Sequence, residues 1–192
     1  MKFPILAYGH PTLRKVAQEI TPDHPGLQSL IDEMFEAMYE SNGVGLAAPQ
    51  IDKSIRLFII DAEPFSEISE DLTPNQQAQL KGKKVFINAK ILEETGEEWD
   101  FNEGCLSLPG INEDVTRHEK IKISYYDRDF NKHVEAFDGL LARVIQHEYD
   151  HTEGILFTDH LSAFKKRLLK RKLENISKGK VNVDYRMKFP KK

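Results

Sequence analysis

The sequence of 192 residues contains very little cysteine and no long apolar run. Its single cysteine, Cys105, excludes an internal disulfide, and with it a small secreted fold held by disulfide bonds. No segment reaches the roughly 18 consecutive apolar residues of a transmembrane helix, so we expect no membrane span. The first residues also lack the apolar core of a signal peptide. We therefore expect a protein of the reducing cytoplasm.

Charge is distributed unevenly along the chain. Residues 165–192 contain twelve Lys and Arg residues against two acidic residues, a net charge of +10. The preceding residues contain 15 Lys and Arg against 29 Asp and Glu, a net charge of −14. A basic segment on an acidic body suggests that the segment contacts an anionic partner. A solvated helix end is the alternative interpretation.

Hydrophobic periodicity, β-branched content and turn residues predict the secondary structure. The predicted helices are at 11–20, 26–41, near 74–81, 139–152 with Asp138 as its cap, and about 160–176. The predicted strands are at 55–60, 84–92, 98–101, 120–127 and 132–137. Residues 43–50 are expected to form a Gly-rich loop, residues 61–82 a surface excursion, and the chain end to fray. Because strands cluster between helices, the predicted class is α+β.

The sequence His147-Glu148-Tyr149-Asp150-His151 is the sharpest chemical signal. Two histidines four residues apart point from one face of a helix and can share a metal ion. Glu148 follows the first histidine, where its carboxylate can reach a water molecule on the metal rather than the metal itself. A solvent-facing helix that carries two histidines by chance is the alternative.

Cys105 is the candidate for a third ligand. A catalytic metal site needs three protein ligands and an open position, and a thiolate beside two imidazoles suits a divalent transition metal. A lone cysteine is more commonly a small buried hydrophobic residue, and this alternative stays open.

Residues 43–50 read Gly-Val-Gly-Leu-Ala-Ala-Pro-Gln. Two glycines two residues apart permit close approach to the backbone. A phosphate-binding loop is excluded because neither its Lys-Ser/Thr pair nor the GxGxxG spacing is present. The amide of Gln50 can donate a hydrogen bond to a developing oxyanion in a dry site, although a Gln at this position is usually at the surface.

Three segments together resemble the peptide deformylase family. Its motifs GxGLAAPQ, EGCLS and QHExDH occur here in the same order, at residues 43–50, 103–107 and 146–151. The resemblance covers about residues 3–162 and includes similar stretches at residues 4–14 and 154–159. Two departures are Thr152, where the family usually has Leu, and an insertion around residues 62–82.

The resemblance implies an α+β fold, with antiparallel or mixed sheets packed around a central metal-binding helix and a C-terminal helix. It implies one catalytic domain over residues 1–164 and a basic C-terminal helix or tail over residues 165–192. The implied activity is removal of the formyl group from the N-terminal formyl-methionine of new polypeptides in a bacterial cytoplasm, with release of formate. The tail would then dock on ribosomal RNA phosphates.

The resemblance also implies the ligands and the catalytic groups. Cys105, His147 and His151 would hold one divalent metal ion, Fe²⁺ in the cell, although Zn, Ni or Co would also suit these ligands. Glu148 would carry the proton. The Gln50 amide and the Leu106 backbone N–H would stabilise the oxyanion.

Substrate contacts follow from the same resemblance. The edge formed by Gly43, Val44 and Gly45 would pair with the substrate backbone. The methionine pocket would be lined by Val44, Phe101, Leu140 and Val144, although plain core packing also explains Leu140 and Val144. Arg143 would reach the pocket rim or, equally, lie at the surface.

Three further residues match positions that support the site in the family. They are Glu103, Arg117 and Asp150. A buried carboxylate needs a cation or several donors, so we expect Arg117 to pair with either Glu103 or Asp150.

The sequence leaves two alternative functions open. One is a metal-dependent amidase or peptidase of different specificity on the same site. The other is a non-catalytic metal-binding or ribosome-associated module, against which Glu148 and Gln50 argue because binding alone requires neither.

Overall fold

The computed structural model describes residues 3–68 and 72–191 and confirms the α+β class. The helices are α1 (Leu27–Glu40), α2 (Pro64–Ile68), α3 (Pro74–Leu80), α4 (Gly139–Thr152) and α5 (Ala163–Ser177). The strands are β1 (Ile5–Leu6), β2 (Gly45–Ala47), β3 (Leu57–Ile60), β4 (Lys84–Gly104), β5 (Asn112–Tyr126), β6 (Lys132–Asp138) and β7 (Met187–Lys188). None of the helices in these ranges is long and apolar enough to cross a membrane.

Five strands form one antiparallel sheet in the order β2-β3-β4-β5-β6, and β1 pairs with β7 in a separate parallel pair. The strands predicted at 84–92 and 98–101 are one strand, β4, and β5 begins at Asn112 rather than at residue 120. Residues 92–98 are all exposed and the ladder with β5 shifts register there. This part of the hairpin extends beyond the core, so its sequence lacks the alternation that marks a half-buried strand.

Helix α4 lies at the centre of the fold and contacts β2, β3 and β5. Its apolar face includes Leu141, Ala142 and Ile145, all fully buried. The predicted bounds of this helix are confirmed, but the Asp138 side chain makes no capping hydrogen bond. The neighbouring α3 contacts this end instead, where Gln79 Oε1 accepts from the Asp138 N–H at 3.3 Å.

Residues 43–50 are not simply a loop. Gly45–Ala47 forms β2, which pairs with β3, and Ala48–Ile51 forms a short 3-10 helix. The helix predicted at 11–20 is reduced to a 3-10 helix over Pro11–Arg14. The reason lies in tertiary hydrogen bonds, because the Ala17 N–H donates to the Thr152 carbonyl at 2.8 Å and Gln18 bridges to Ile55.

The insertion at residues 62–82 is largely helical, with α2 and α3 inside it. Thr73 and Gln76 form a capping box at the start of α3, close to the predicted helix near 74–81. Residues 69–71 of the predicted excursion lie outside the described residues.

The C-terminal part of the chain is tied to the body rather than frayed. Helix α5 packs on what we call the α5 cluster, whose buried members are Ala7, Leu108, Ile111, Val115, Leu156, Phe157, Leu161, Leu169, Leu173 and Ile176. After α5 the chain returns to pair β7 with β1 at the other end of the sequence. This pairing could not be predicted from the sequence. A two-residue strand is too short to show alternation, and its partner lies some 180 residues away.

We predict that Leu169→Ala lowers the free energy of unfolding by about 2–4 kcal/mol, because it opens a cavity in the α5 cluster. The matched control is Leu168→Ala, since Leu168 is 64% exposed on the same helix and Leu169 only 4%. The control should change stability by less than about 1 kcal/mol. Chemical denaturation at fixed metal content measures both, and equal effects would show that α5 does not pack as described.

Candidate metal centre

Three candidate ligands converge between the end of β4 and the last turns of α4. Cys105 Sγ lies 3.3 Å from His151 Nε2, and the ligand atoms of Cys105, His147 and His151 all lie within 4.8 Å of one another. The two histidine rings are 5.2 Å apart between centroids, as a four-residue helical spacing requires. The structure thus brings the spaced histidines and the distant cysteine into one cluster.

The end of β4 delivers the cysteine to this position. Gly104 is the last residue of the strand, and a Cβ there would lie 2.6 Å from the Asn112 side-chain nitrogen. The chain turns immediately afterwards, with the Leu108 N–H donating to the Cys105 carbonyl at 2.9 Å. The glycine permits the close approach of Gly104 and Asn112, and the turn directs the Cys105 thiol toward α4.

The charge state of the ligands suits a metal cation. Burial alone would raise the pKa of the Cys105 thiol, but the charge of His151 and the hydrogen bond with His147 lower it to about 5. The thiolate is therefore the main form at neutral pH. One thiolate and two imidazoles form a donor set typical of divalent transition metals, so these residues fit such an ion.

Glu148 is next to the ligands in sequence and is 5% exposed. Its Oε2 has no hydrogen-bond partner within the described part of the chain, and burial raises the pKa of the carboxyl to about 7. A Cβ on Gly45 would lie 2.4 Å from Glu148 Oε1, so only glycine leaves room for this carboxylate. A carboxyl group with a pKa near 7 can both accept and release a proton at neutral pH.

Gln50 is buried, not at the surface. Its Oε1 accepts from the Ala47 N–H at 2.9 Å, which fixes the orientation of the amide. Its Nε2 then points into the site, 3.6 Å from Cys105 Sγ and 3.3 Å from Ser107 Oγ. The donor end of the amide is thereby held beside the ligand cluster.

Arg117 resolves the choice between two carboxylate partners by binding both. Its guanidinium donates to Glu103 at 2.7 and 3.2 Å and to Asp150 at 2.8 Å. Glu103 in turn lies 2.9 Å from His147 Nδ1. Burial would raise the pKa of Glu103, but the hydrogen bonds with His147 and Arg117 hold it well below its usual range. Such a carboxylate orients the imidazole so that Nε2 faces the ligand cluster.

A cavity of about 560 Å³ opens beside these groups. Its lining includes Gln50, Cys105, Leu106, His147 and Glu148. The lining also contains most of the predicted substrate contacts, namely Gly43, Val44, Gly45, Phe101, Arg143 and Val144. Two of the candidate ligands, Cys105 and His147, and the proton carrier Glu148 therefore line a space in which a peptide end could lie.

Comparison with known proteins identifies the family. The profile described as polypeptide deformylase matches residues 2–167. The chain belongs to the polypeptide deformylase family. A peptide deformylase of Flavobacterium psychrophilum is 58% identical over 194 residues and covers 100% of both chains.

Solved structures of the family share this fold. A crystal structure of a peptide deformylase from Legionella pneumophila has a TM-score of 0.77 at 38% identity and covers 93% of this chain and 96% of its own. A Plasmodium falciparum peptide deformylase in complex with an inhibitor has a TM-score of 0.76 at 33% identity, covering 91% and 99%. As a family member, the chain is an enzyme.

For Arg143 and for Leu140, the sequence left two alternatives, and the structure favours one of each pair. Arg143 is not a surface residue: it is 2% exposed and donates to Glu103 at 3.0 Å and to the Trp99 carbonyl at 2.7 Å. Its planar group also lies 4.5 Å from the centroid of the Trp99 ring, which stabilises a buried cation. Leu140 is not part of the described cavity lining, because it packs instead against the apolar cluster that contains Leu141 and Ile145.

Sequence reasoning also missed His160. Its Nε2 lies 2.7 Å from Asp150 Oδ2, so it extends the Arg117 network toward the surface. No motif marks this residue, since it lies one position after the similar stretch at residues 154–159.

We predict that Arg117→Met lowers the free energy of unfolding by about 3–5 kcal/mol, because the buried carboxylates of Glu103 and Asp150 lose the guanidinium that they share. Metal affinity should also fall by about 10–100-fold, since Glu103 orients His147. The matched control is Arg128→Met, because the Arg128–Asp32 ion pair is exposed. That change should cost about 1 kcal/mol or less. Thermal unfolding and metal titration test both, and comparable losses in the two variants would contradict the role of Arg117.

Proposed function

We propose that this chain hydrolyses the amide bond of N-terminal formyl-methionine on new polypeptides and releases formate. One observation supports the proposal above all others. Two members of a three-ligand cluster, Cys105 and His147, line the same cavity as an oriented amide donor and the buried Glu148, whose Oε2 has no hydrogen-bond partner among the described residues. Amide hydrolysis needs these three groups, whereas metal binding alone needs only the first.

Cys105, His147 and His151 would hold one divalent ion, and we propose Fe²⁺ in the cell from the family resemblance. Zn, Ni or Co would suit the same ligands. When bound, such an ion lowers the pKa of water and supplies hydroxide near neutral pH.

Glu148 is the proposed proton carrier. Its carboxylate takes the proton of the attacking water and later delivers it to the leaving amine, so the proton is conserved over the reaction. The pKa of about 7 supports both steps. The unpartnered Oε2 leaves an acceptor available for that proton.

The Gln50 amide and the Leu106 N–H are the proposed donors to the oxyanion. The Gln50 amide is held by the Ala47 N–H with its Nε2 toward Cys105. A donor fixed before the reaction stabilises the developing charge without reorganisation, and loss of one such donor typically costs about 10²–10³ in rate.

Substrate binding is proposed along β2 and its preceding residues. The strand lies at the edge of the five-stranded sheet, and Gly43, Val44 and Gly45 line the cavity. An extended peptide can add to such an edge through main-chain hydrogen bonds. The methionine side chain would contact Val44, Phe101 and Val144, the predicted pocket residues that line the cavity.

The basic tail is a proposed docking segment for the ribosome. Residues 1–164 would form the catalytic domain, and residues 165–192 the basic segment, in a bacterial cytoplasm. Leu169, Leu173 and Ile176 anchor α5, so its outer face presents Arg167, Lys170, Arg171 and Lys172 to solvent. Clustered cations bind nucleic-acid phosphates by releasing counterions.

Formate release from formyl-Met-Ala under anaerobic conditions, with metal analysis of the same sample, tests the activity. We expect formate from this peptide and no hydrolysis of acetyl-Met-Ala or of internal peptide bonds. Cleavage of the acetylated or internal bonds at a similar rate would instead favour a metal-dependent amidase or peptidase of other specificity.

We predict that Glu148→Ala retains the metal and loses formate release by a factor of at least about 10², because the ligands remain and the proton carrier is lost. The matched variant Cys105→Ser should lose or exchange the metal, since a hydroxyl replaces a thiolate. Metal content and turnover are measured together for each variant. Near-normal turnover of Glu148→Ala would remove Glu148 from the mechanism.

We predict that replacing Arg167, Lys170 and Arg171 by Glu reduces co-sedimentation with ribosomes at low salt. Formate release from short peptides should not change, because these side chains point away from the core. The control replaces three other exposed cations by Glu, namely Lys53, Lys81 and Lys90, which lie on other parts of the protein. Equal sedimentation of both triple variants and the parent across a salt series would leave the tail as solvated surface.

A further inference from the structure

The end of the chain contributes a wall of the substrate cavity. Residues 182–185 line the cavity together with the ligand-bearing segment. These residues follow the end of the family profile match at residue 167 and the end of the motif resemblance. The basic tail is therefore also part of the site, which its sequence does not indicate.

Backbone and side-chain contacts hold this segment in place on both sides. The Ile5 N–H donates to the Arg186 carbonyl and the Ala7 N–H to the Lys188 carbonyl, each at 2.9 Å. Met187 packs against the α5 cluster. The segment is therefore held by hydrogen bonds to β1 and by packing against the core.

Tyr185 makes the most direct contact with the site. Its hydroxyl donates to the Leu106 carbonyl at 2.8 Å, and both side chains pack against the same apolar cluster. Burial, with a smaller contribution from the charge of Cys105, raises the pKa of Tyr185 to about 12. The phenol therefore stays protonated and remains a donor throughout the physiological pH range.

The segment around Leu106 is held at successive carbonyls. The Cys105 carbonyl accepts from the Leu108 N–H and the Ser107 carbonyl from the Tyr8 N–H, each at 2.9 Å. Tyr185 holds the carbonyl between them. Its hydroxyl joins this segment to the end of the chain by a hydrogen bond.

The same part of the tail also contacts the segment that carries the other proposed oxyanion donor, Gln50. Lys188 Nζ lies 2.6 Å from Asp52 Oδ2, and Asp52 ends the 3-10 helix that carries Gln50. Segments bearing both proposed donors are thus tied to residues 185–188.

We propose that Tyr185 is a positioning residue for deformylation, which holds the Leu106 segment so that its backbone N–H stays directed at the developing oxyanion. The inference rests on the function proposed above. A donor that acts on the oxyanion stabilises the transition state more than the bound substrate. Loss of its positioning should therefore lower kcat and leave KM nearly unchanged.

The test compares Tyr185→Phe with Tyr125→Phe in the metal-loaded, full-length protein. Tyr125 is the matched control, because its buried phenol donates to Glu135 at 2.6 Å and does not line the described cavity. For Tyr185→Phe we expect kcat to fall about tenfold, the usual effect of one lost hydrogen bond, with KM changed less than about twofold. For Tyr125→Phe both constants should remain within about twofold of the parent.

Amide hydrogen exchange provides a second readout that does not depend on turnover. Exchange at residues 105–108 should become faster in Tyr185→Phe and stay at the parent rate in Tyr125→Phe, while metal content is equal in all three proteins. Unchanged exchange and unchanged kcat in Tyr185→Phe would overturn the proposal. Absence of formate release from the parent protein would instead refute the proposed function, and the exchange data would still decide whether Tyr185 holds the segment.

Discussion

Arg117 lies buried between the carboxylates of Glu103 and Asp150, and this charge balance allows β4, β5 and α4 to meet at the ligand cluster. Without the guanidinium, two carboxylates would be buried beside a thiolate. With it, Glu103 remains ionised and orients His147 through a 2.9 Å contact. Arg143 adds a second buried cation to the same carboxylate. The arrangement of the ligands therefore depends on a buried ion network that lies behind them.

The two carboxylates nearest the ligands have opposite environments. Burial would raise the pKa of Glu103, but hydrogen bonds with His147 and Arg117 lower it. Glu148 has an oxygen with no hydrogen-bond partner in the described part of the chain, and burial raises its pKa to about 7. A permanently ionised group is suited to orienting a ligand. A group that titrates near neutrality is suited to moving a proton. Gly45 maintains the difference, because a side chain there would collide with Glu148.

The C-terminal segment carries an exposed basic surface and is also packed into the body of the protein. Its composition indicates only the basic surface. The cations of α5 are exposed, while the leucines beneath them and the β1–β7 pair fix the segment to the body. The residues that follow α5 then reach the cavity and contact Leu106 through Tyr185. Deleting the tail would therefore remove core side chains and a cavity wall together with the basic charge. Single-residue variants separate these effects.

Local sequence determined the features that depend on local periodicity or motif. The bounds of α1, α4 and α5, the pairing of His147 with His151 on one helix face, and the family resemblance all follow from short segments, because helical spacing fixes which side chains share a face. Tertiary structure alone decided the partners of Arg117, the burial of Arg143, the role of His160, the continuity of β4 and the return of β7 to β1. Each of these depends on contacts between residues far apart in the chain. Such contacts are set by how elements pack, and no periodicity within a single segment records that packing.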